Sequence, residues 1–280
     1  MKAMIDSVVK CMATYEDMSD IQAIQTAHRF KLVEFWNIKE GSRILEIGCG
    51  QGDTTAVLAY VVGENGFVHG IDIGTRTYGS PLTLGEASDY LMNSPIGKQI
   101  QMDFEIDLLS PHVNFPEKSF DYVVLSHCSW YFRSSEEFNS ILTKIRKWGK
   151  KLCFAEWDTR IGKIEQYPHL LSILIQAQYE SFKQNSDSNV RTLFTPNDIK
   201  VITGASGWTI IDEKTISSPE LQDGMWEVYK TLDEFDLELR KLIDMPAKLN
   251  GLIQSEIKIL EESMKSNQIK PLSIFAFVAE

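Results

Sequence analysis

The sequence predicts an α/β fold with a parallel sheet, and two observations lead to this prediction. Residues 43–72 form a βαβ pattern, in which an apolar run at 44–47 precedes a segment with helical spacing and a second apolar run ends at Ile71. Further apolar runs of strand length follow at 100–106, 119–126, 151–155, 208–216 and 272–278. Strands that alternate with helical segments favour parallel pairing, because each helix carries the chain back to the start of the next strand.

A glycine-rich turn follows the first of these strands. Gly48, Gly50 and Gly52 alternate along it, and glycine lets a backbone turn sharply and approach a ligand closely. One acid, Glu46, lies two residues before the turn, and another, Asp72, follows the second strand. A dinucleotide-binding fold has its third glycine one place later than here, which disfavours a nicotinamide oxidoreductase. The pattern predicts a ligand site at the carboxyl ends of these strands.

The order of strand, acid, three glycines, helix, strand and acid resembles motif I of the class I S-adenosylmethionine-dependent methyltransferases. The Phe120–Asp121 pair that enters the fourth apolar run resembles motif IV of that family. The resemblance implies a seven-stranded, mostly parallel sheet in the order 3-2-1-4-5-7-6, flanked by helices and with inserted helical cap elements. It also implies S-adenosylmethionine as the cofactor. The cofactor-binding residues implied by position are Glu46, Gly48, Gly50, Gly52, Asp72, Ile73, Asp107, Leu108 and His127.

The resemblance gives some of these residues specific roles. Asp72 occupies the place of the acid that holds both ribose hydroxyls, and Asp107 that of the acid that contacts the adenine amino group. Asp103 lies inside the predicted third strand and matches the second place less well. In the implied strand order, strands 1 and 4 flank the topological switch point, so we expect Gly48 and His127 to face each other across the cofactor crevice.

Candidate residues for the methyl acceptor follow the fourth and fifth strands. His127 is the candidate general base, since an imidazole titrates near neutral pH, and packing on the cofactor without proton transfer is the alternative. Tyr131 is a second catalytic candidate. The substrate-binding candidates are Trp130, Trp157, Asp158, Tyr78 and Arg191. Ordinary core packing is the alternative for Trp130 and Trp157, and a solvated surface position is the alternative for Asp158 and Arg191.

Three helical additions to the core are predicted. Residues 1–40 form an N-terminal cap segment, which contains a helix that starts at a Ser19–Gln22 capping box. The apolar residues of that helix recur at helical spacing together with one histidine: Ile21, Ile24, His28, Leu32 and Phe35. The methyltransferase core is expected at 41–219 and 267–280, with a helical insertion at about 160–190 and an inserted helical hairpin at 220–266.

The hairpin carries a heptad-like apolar stripe from Leu221 to Leu242, which must be buried. Four apolar residues lie off this stripe and predict a second contact, with the cap of the same chain or with a second copy: Trp226, Tyr229, Leu237 and Ile243. Whether the hairpin is a lid or an assembly element stays open, and so does the choice between a monomer and a homodimer.

Composition excludes several classes of partner. The net charge is −11 and no basic run is present, which disfavours a nucleic acid partner. The four cysteines are far apart in the sequence, so neither a zinc site nor a disulfide framework is predicted. The sequence has no signal peptide pattern and no apolar run long enough to span a membrane, so a cytoplasmic protein without stable membrane association is expected.

The sequence thus predicts a methyltransferase that acts on a small or medium-sized organic molecule. One alternative is a cyclopropane-fatty-acid-synthase-like enzyme that acts on a lipid olefin, although an acidic surface disfavours docking on anionic membranes. Another alternative is a sensor that binds S-adenosylmethionine without catalysis. The acceptor and its reacting atom stay open, and the residues leave undecided whether a base is used.

Overall fold

A computed structural model describes residues 1–14, 18–183, 186, 188–266 and 268–280. Its centre is a seven-stranded sheet in the order β3-β2-β1-β4-β5-β7-β6, as predicted. The strands are β1 Arg43–Ile47, β2 Phe67–Ile71, β3 Ile100–Asp103, β4 Phe120–Ser126, β5 Gly149–Trp157, β6 Ile210–Ile216 and β7 Ile274–Ala279. Strands β1 to β5 pair in parallel, and β7 is antiparallel to both of its neighbours, β5 and β6.

Helices cover both faces of the sheet. Their bounds are α1 Lys2–Val9, α2 Ser19–Trp36, α3 Asp53–Val62, α4 Leu84–Met92, α5 Ser135–Trp148, α6 Tyr167–Glu180, α7 Pro196–Ala205, α8 Asp223–Lys241 and α9 Ala247–Ser266. Alternate residues of β1 face opposite sides, since Ile44 packs with α2 and α3, whereas Leu45 packs with α5 and α7. Strands β1, β2, β4, β5 and β7 are therefore buried on both faces, which explains why they read as continuous apolar runs, whereas the edge strand β6 is largely exposed.

Two local predictions are wrong. The third strand ends at Asp103, not at Ile106, because Glu105 adopts a left-handed φ of 60° and Ile106 donates its amide to the Asp72 carbonyl oxygen instead of the β-ladder. The capping box at Ser19 does not form, because the helix is capped by Met18 without a side-chain hydrogen bond. The Gln22 side chain donates to Asp53 instead. Tertiary hydrogen bonds thus replace local ones.

The hairpin formed by α8 and α9 packs on α6. Their shared apolar cluster comprises Leu171, Ile175, Tyr179, Val228, Leu239, Ile253, Ile257 and Leu260. The predicted second contact of the off-stripe residues is not met within the described chain: Trp226 is 43% exposed, Tyr229 49%, Leu237 58% and Ile243 95%. The reason is geometric, since α6 covers one face of the hairpin and leaves the opposite face of α8 to solvent.

The helices of the described ranges include none with the length and apolar character that crossing a membrane requires. The predicted segments 1–40 and 160–190 each contain three residues that lie outside these ranges, and the segment 267–280 contains one. The division into a core and inserted elements stays a prediction.

Candidate active site

The glycine loop between β1 and α3 has a backbone that requires glycine. Gly48, Gly50 and Gly52 have φ values of 70°, 54° and 91°, which side-chain-bearing residues rarely adopt. A Cβ atom on Gly48 would lie 2.8 Å from the Cβ of Cys128, so β1 and the loop after β4 touch at this point. A Cβ on Gly50 would meet no atom within 4 Å, so this part of the loop faces open space.

The Asp72 carboxylate ties the loops after β1 and β2 together. Its Oδ2 accepts a hydrogen bond from the Gly50 amide at 2.9 Å, and its Oδ1 accepts one from the Gly74 amide at 2.7 Å. Each carboxylate oxygen keeps a second lone pair for a ligand donor. Ile73, which follows, is 63% exposed beside the same loop.

Glu46 is buried beneath the glycine loop. It is 2% exposed, and its Oε2 accepts a hydrogen bond from the Thr55 hydroxyl at 2.5 Å. Burial raises the pKa of Glu46 to about 8, so the carboxyl group is mostly protonated at neutral pH. Its visible role is to fix the first turn of α3 on β1. Direct contact between Glu46 and the cofactor stays a prediction.

The loop after β3 lies beside Asp72, through the hydrogen bond between Ile106 and the Asp72 carbonyl. Asp107 is exposed and accepts a hydrogen bond from the Leu109 amide at 2.9 Å, whereas Leu108 is buried in the core. The weaker candidate, Asp103, already accepts hydrogen bonds from His69 and Gln101, at 2.7 and 2.8 Å. These contacts favour Asp107 over Asp103 as the residue available to an adenine amino group.

His127 lies at the carboxyl end of β4 with a left-handed φ of 52°, uncommon for a residue with a side chain. Its Nε2 lies 3.2 Å from Nε2 of His28 on α2, and its Nδ1 lies 3.5 Å from Oε1 of Glu156. The Trp157 ring packs on it with a centroid distance of 4.7 Å. The predicted neighbourhood of Gly48 and His127 is consistent with the contact between Gly48 and Cys128.

The hydrogen bonds around the two histidines run in one direction. The Lys31 ammonium group can only donate, and it donates to the Ser218 hydroxyl at 3.1 Å. Among the described residues, the one acceptor for the Ser218 hydroxyl proton is Nδ1 of His28, at 3.0 Å. Burial, reinforced by His127, lowers the pKa of His28 well below its ordinary value, so His28 is neutral and carries its proton on Nε2.

It follows that His28 donates to His127. The Nε2 atom of His127 is then the acceptor, and the N–H group of its ring is at Nδ1, on the side of Glu156. The sequence pattern alone predicts no role in the site for His28. The available signal was its place in the apolar stripe of α2, where a histidine needs a buried polar partner.

Glu156 lies beside His127 without a hydrogen bond to it, since Nδ1 of His127 has no hydrogen-bond partner among the described residues. It is 1% exposed, and its Oε2 accepts hydrogen bonds from the Ser129 amide and hydroxyl at 3.0 and 2.7 Å. Its Oε1 accepts the Trp157 amide at 2.9 Å. These donors hold the carboxyl group beside the His127 ring.

A cavity of about 140 Å³ lies between α2, the loop after β4, the end of β5, α6 and α8. Four of the predicted residues line it: His127, Trp130, Tyr131 and Trp157. Trp130 is 4% exposed and donates its indole N–H to the Phe194 carbonyl at 3.3 Å, so it also belongs to the core. The Tyr131 hydroxyl lies 3.2 Å from Oδ1 of Asn189, another lining residue.

Three substrate-binding candidates are not among the residues that line this cavity. Asp158 is buried and held by two hydrogen bonds from the Arg160 guanidinium group, at 2.8 and 2.7 Å. Arg191 lies over the Tyr131 ring at 5.7 Å. Tyr78 is 45% exposed in the loop after β2.

The cavity also has lining residues that sequence analysis missed, on α2, α6 and α8. They include Arg29, His169, Asp223 and Glu227. Arg29 lies 3.7 Å from Asp53 at the start of α3, and its buried Nε has no hydrogen-bond partner within the described ranges. These lining residues reach the cavity because α2, α6 and α8 pack around it, and local sequence patterns do not specify that packing.

The residues at this edge fit a nucleoside that carries an amino acid group. Gly50 leaves its side of the loop open, Asp72 offers lone pairs to hydroxyl groups, and the Arg29 guanidinium offers a free N–H to a carboxylate. The first turn of α3 adds a partial positive charge.

Known families match the same part of the chain. Residues 44–151 match a methyltransferase domain, and residues 8–78 match protein-L-isoaspartate(D-aspartate) O-methyltransferase. The chain is 26% identical over 205 residues to methyltransferase phomM' of Diaporthe leptostromiformis, covering 60% of this chain and 53% of that protein. It is 24% identical over 145 residues to demethylmenaquinone methyltransferase of Bacillus velezensis, covering 49% of this chain and 54% of that protein. The chain therefore spans about half the length of these curated relatives.

A solved structure matches the entire chain. It is a cyclopropane-fatty-acyl-phospholipid synthase-like protein from Lactobacillus casei, with 32% identity, a TM-score of 0.87 and coverage of 100% of this chain and 99% of that one. The YcgJ protein from Bacillus subtilis shares the fold, with a TM-score of 0.55 and 11% identity over 90% of this chain and 97% of that one. From the sheet order, the glycine loop and these matches, the chain belongs to the class I S-adenosylmethionine-dependent methyltransferases, and its cofactor is S-adenosylmethionine.

Proposed function

We propose that the protein transfers the methyl group of S-adenosylmethionine to a small or medium-sized organic molecule that binds in the cavity beside His127. The observation that supports this proposal most directly is the cavity, which lies at the same sheet edge as the glycine loop and is lined by the His127 and Glu156 side chains. Its volume of about 140 Å³ suits a small acceptor or the reacting end of a larger one. The net charge of −11 supports an acceptor other than a nucleic acid.

S-adenosylmethionine supplies an already activated methyl group when bound, so the protein has to align the acceptor and exclude water. Helices α2 and α8 close the cavity on the side away from the sheet, and they are joined by a hydrogen bond from Gln25 to Asp223 at 2.7 Å. A second hydrogen bond, from the Gln22 side chain to the Asp53 carboxylate at 2.6 Å, joins α2 to the start of α3, directly after the glycine loop. These contacts support α2 as the element that keeps water from the reacting atoms.

We propose His127 as the base for an acceptor that must lose a proton. Its Nε2 lone pair would take the proton, and Glu156 at 3.5 Å from Nδ1 would stabilise the resulting imidazolium. This lone pair already accepts a hydrogen bond from the Nε2–H group of His28, so the methyl acceptor has to replace His28 as the partner of Nε2 before its proton moves to His127, and His28 keeps its own proton.

A second candidate function is action on a lipid olefin. Two observations favour it: the similarity to the cyclopropane-fatty-acyl-phospholipid synthase-like protein of Lactobacillus casei, and the exposed apolar residues Trp226 and Tyr229 on α8, next to the lining residue Glu227. The surplus of acidic residues in the hairpin, eleven against five basic ones over residues 220–262, opposes docking on an anionic membrane.

The test is transfer of an isotope-labelled methyl group. The protein is incubated with methyl-labelled S-adenosylmethionine and either a low-molecular-weight metabolite extract or vesicles of unsaturated phospholipid, and products are identified by mass spectrometry. We expect labelled small molecules, and a loss of about a hundredfold or more in rate for His127→Phe relative to wild type, within the range of one general base. Label in the lipid alone would favour the second function. Cofactor binding by calorimetry without any labelled product would refute both and indicate a sensor.

A further inference from the structure

His169, near the start of α6, is a buried residue of the cavity wall with a fixed tautomer. It is fully buried, and its Nδ1 accepts a hydrogen bond from the Leu272 amide at 2.9 Å. A backbone amide can only donate, so Nδ1 carries the lone pair and the proton of the neutral ring lies on Nε2. Burial lowers the pKa of His169 to about 3, which keeps the ring neutral over the physiological range.

The Nε2–H group of His169 has no hydrogen-bond partner among the residues that the structure describes. Leaving a buried donor unpaired costs about 1–3 kcal/mol, so such groups are rare in native proteins. The ring is held from two sides, by Leu272 at Nδ1 and by Trp157, with a centroid distance of 5.2 Å. It therefore cannot turn its N–H toward another partner without breaking the bond to Leu272.

His169 lines the same cavity as His127, and Trp157 packs against both histidines. We propose that the Nε2–H group of His169 binds an oxygen atom of the methyl acceptor, so that the acceptor carries a carbonyl, carboxylate or phenolate oxygen. A neutral imidazole N–H donates and cannot accept, which selects oxygen lone pairs and rejects ammonium groups. This inference rests on the proposed function, because it concerns the molecule that occupies the cavity.

Two substitutions separate the two nitrogens of His169. His169→Asn keeps an oxygen that reaches the Leu272 amide but has no donor at the place of Nε2. His169→Gln keeps an N–H group near the place of Nε2 but loses the acceptor for Leu272. His112→Asn makes the same chemical change at an exposed histidine and serves as the control.

The probes are acetophenone and α-methylstyrene, which have the same skeleton and differ by a carbonyl oxygen in place of a methylene group. Binding is measured by NMR titration of the ¹⁵N-labelled protein loaded with the demethylated cofactor product. We expect wild type and His112→Asn to bind acetophenone about tenfold more tightly than α-methylstyrene, the effect of one net hydrogen bond. We also expect the His169 Nε2–H resonance to shift with acetophenone alone. His169→Asn is expected to lose the preference, and His169→Gln to keep part of it.

Three results would overturn the inference. They are a ring proton on Nδ1 of His169, equal binding of the two probes by wild type, and no saturable binding of acetophenone. If His169→Asn fails to fold, the inference is still tested, because the measurements on wild type and on His169→Gln are sufficient to decide it. Calorimetry of the demethylated cofactor product is run on each variant. If the wild-type protein does not bind this product, the proposed function is contradicted. If it binds the product but binds acetophenone and α-methylstyrene equally, only the role of His169 is contradicted.

Discussion

The Nε2 atoms of His28 and His127 lie 3.2 Å apart, which joins the N-terminal helix α2 to the carboxyl end of β4 at the centre of the candidate site. A single proton lies between these two atoms, because two N–H groups cannot face each other at this distance. The Lys31 and Ser218 contacts place that proton on His28. The tautomer of His127 is thus set by a residue 99 positions earlier in the chain.

We predict that His28→Asn releases the tautomer of His127. The asparagine oxygen can still accept from Ser218, but no donor reaches Nε2 of His127. Loss of this bond is expected to lower the free energy of unfolding by about 1 kcal/mol. Histidine ¹⁵N NMR is expected to show His127 with its proton on Nδ1 in wild type and on either nitrogen in the variant. Identical His127 signals in the two proteins would show that His28 does not set the tautomer.

Alanine at Gly48 and at Gly50 is predicted to have unequal effects. Both positions have positive φ, which costs about 1–2 kcal/mol for alanine. Gly48→Ala also forces a contact of 2.8 Å with Cys128, which should displace the loop that carries His127, whereas Gly50→Ala meets no neighbour in the protein. Chemical denaturation should therefore rank Gly48→Ala as the less stable variant. Equal losses would contradict close packing of Gly48 on the loop after β4.

Asp72→Asn is predicted to weaken cofactor binding and to loosen the glycine loop. An amide side chain has one oxygen, so it cannot accept from both the Gly50 and Gly74 amides. We expect calorimetry to give a loss of about 2–3 kcal/mol in binding of S-adenosylmethionine, because a ribose contact is lost as well. The exposed carboxylate Asp89 offers a matched control as Asp89→Asn. Unchanged affinity in Asp72→Asn would show that the ribose acid lies elsewhere.

Glu46 predicts a pH dependence of stability. Its pKa is about 8 in the folded protein and about 4.3 in an unfolded chain, so the folded state binds the additional proton between these values. Its contribution is full below pH 4.3 and is lost as the pH rises through 8, at about 1.4 kcal/mol per pH unit.

The isosteric variant Glu46→Gln mimics the protonated acid and can still accept from Thr55. Relative to wild type, its free energy of unfolding by urea should rise between pH 5 and pH 8, two values inside the window that the Glu46 pKa sets. A difference between the two proteins that does not change with pH would show that Glu46 is ionised in the folded state.

Local patterns predicted the strands of the sheet and the glycine loop after β1. The strand order that the family resemblance implies was confirmed, and the resemblance itself rests on residues a few positions apart in the glycine-rich turn. The glycine loop was predictable for the same reason.

The part of the candidate site that faces the methyl acceptor was harder to predict, because it depends on contacts between residues that are distant in the sequence. His28 and His169 looked like members of helical stripes, and their roles follow from partners at Ser218 and Leu272. The burial of Asp158 in an ion pair was not predicted. Its partner, Arg160, is only two residues away in the sequence, but the pair forms because the chain turns directly after the end of β5. The exposed face of α8 followed from the position of α6, which the periodicity of the hairpin does not specify.

The most direct test of the account is a crystal structure with S-adenosylmethionine bound. We predict that its ribose contacts Asp72, its carboxylate lies near Arg29, and its methyl group opens into the cavity lined by His127 and Trp157. A methyl group that points away from this cavity, or a cofactor that binds without contact to Asp72, would contradict the proposed site of methyl transfer.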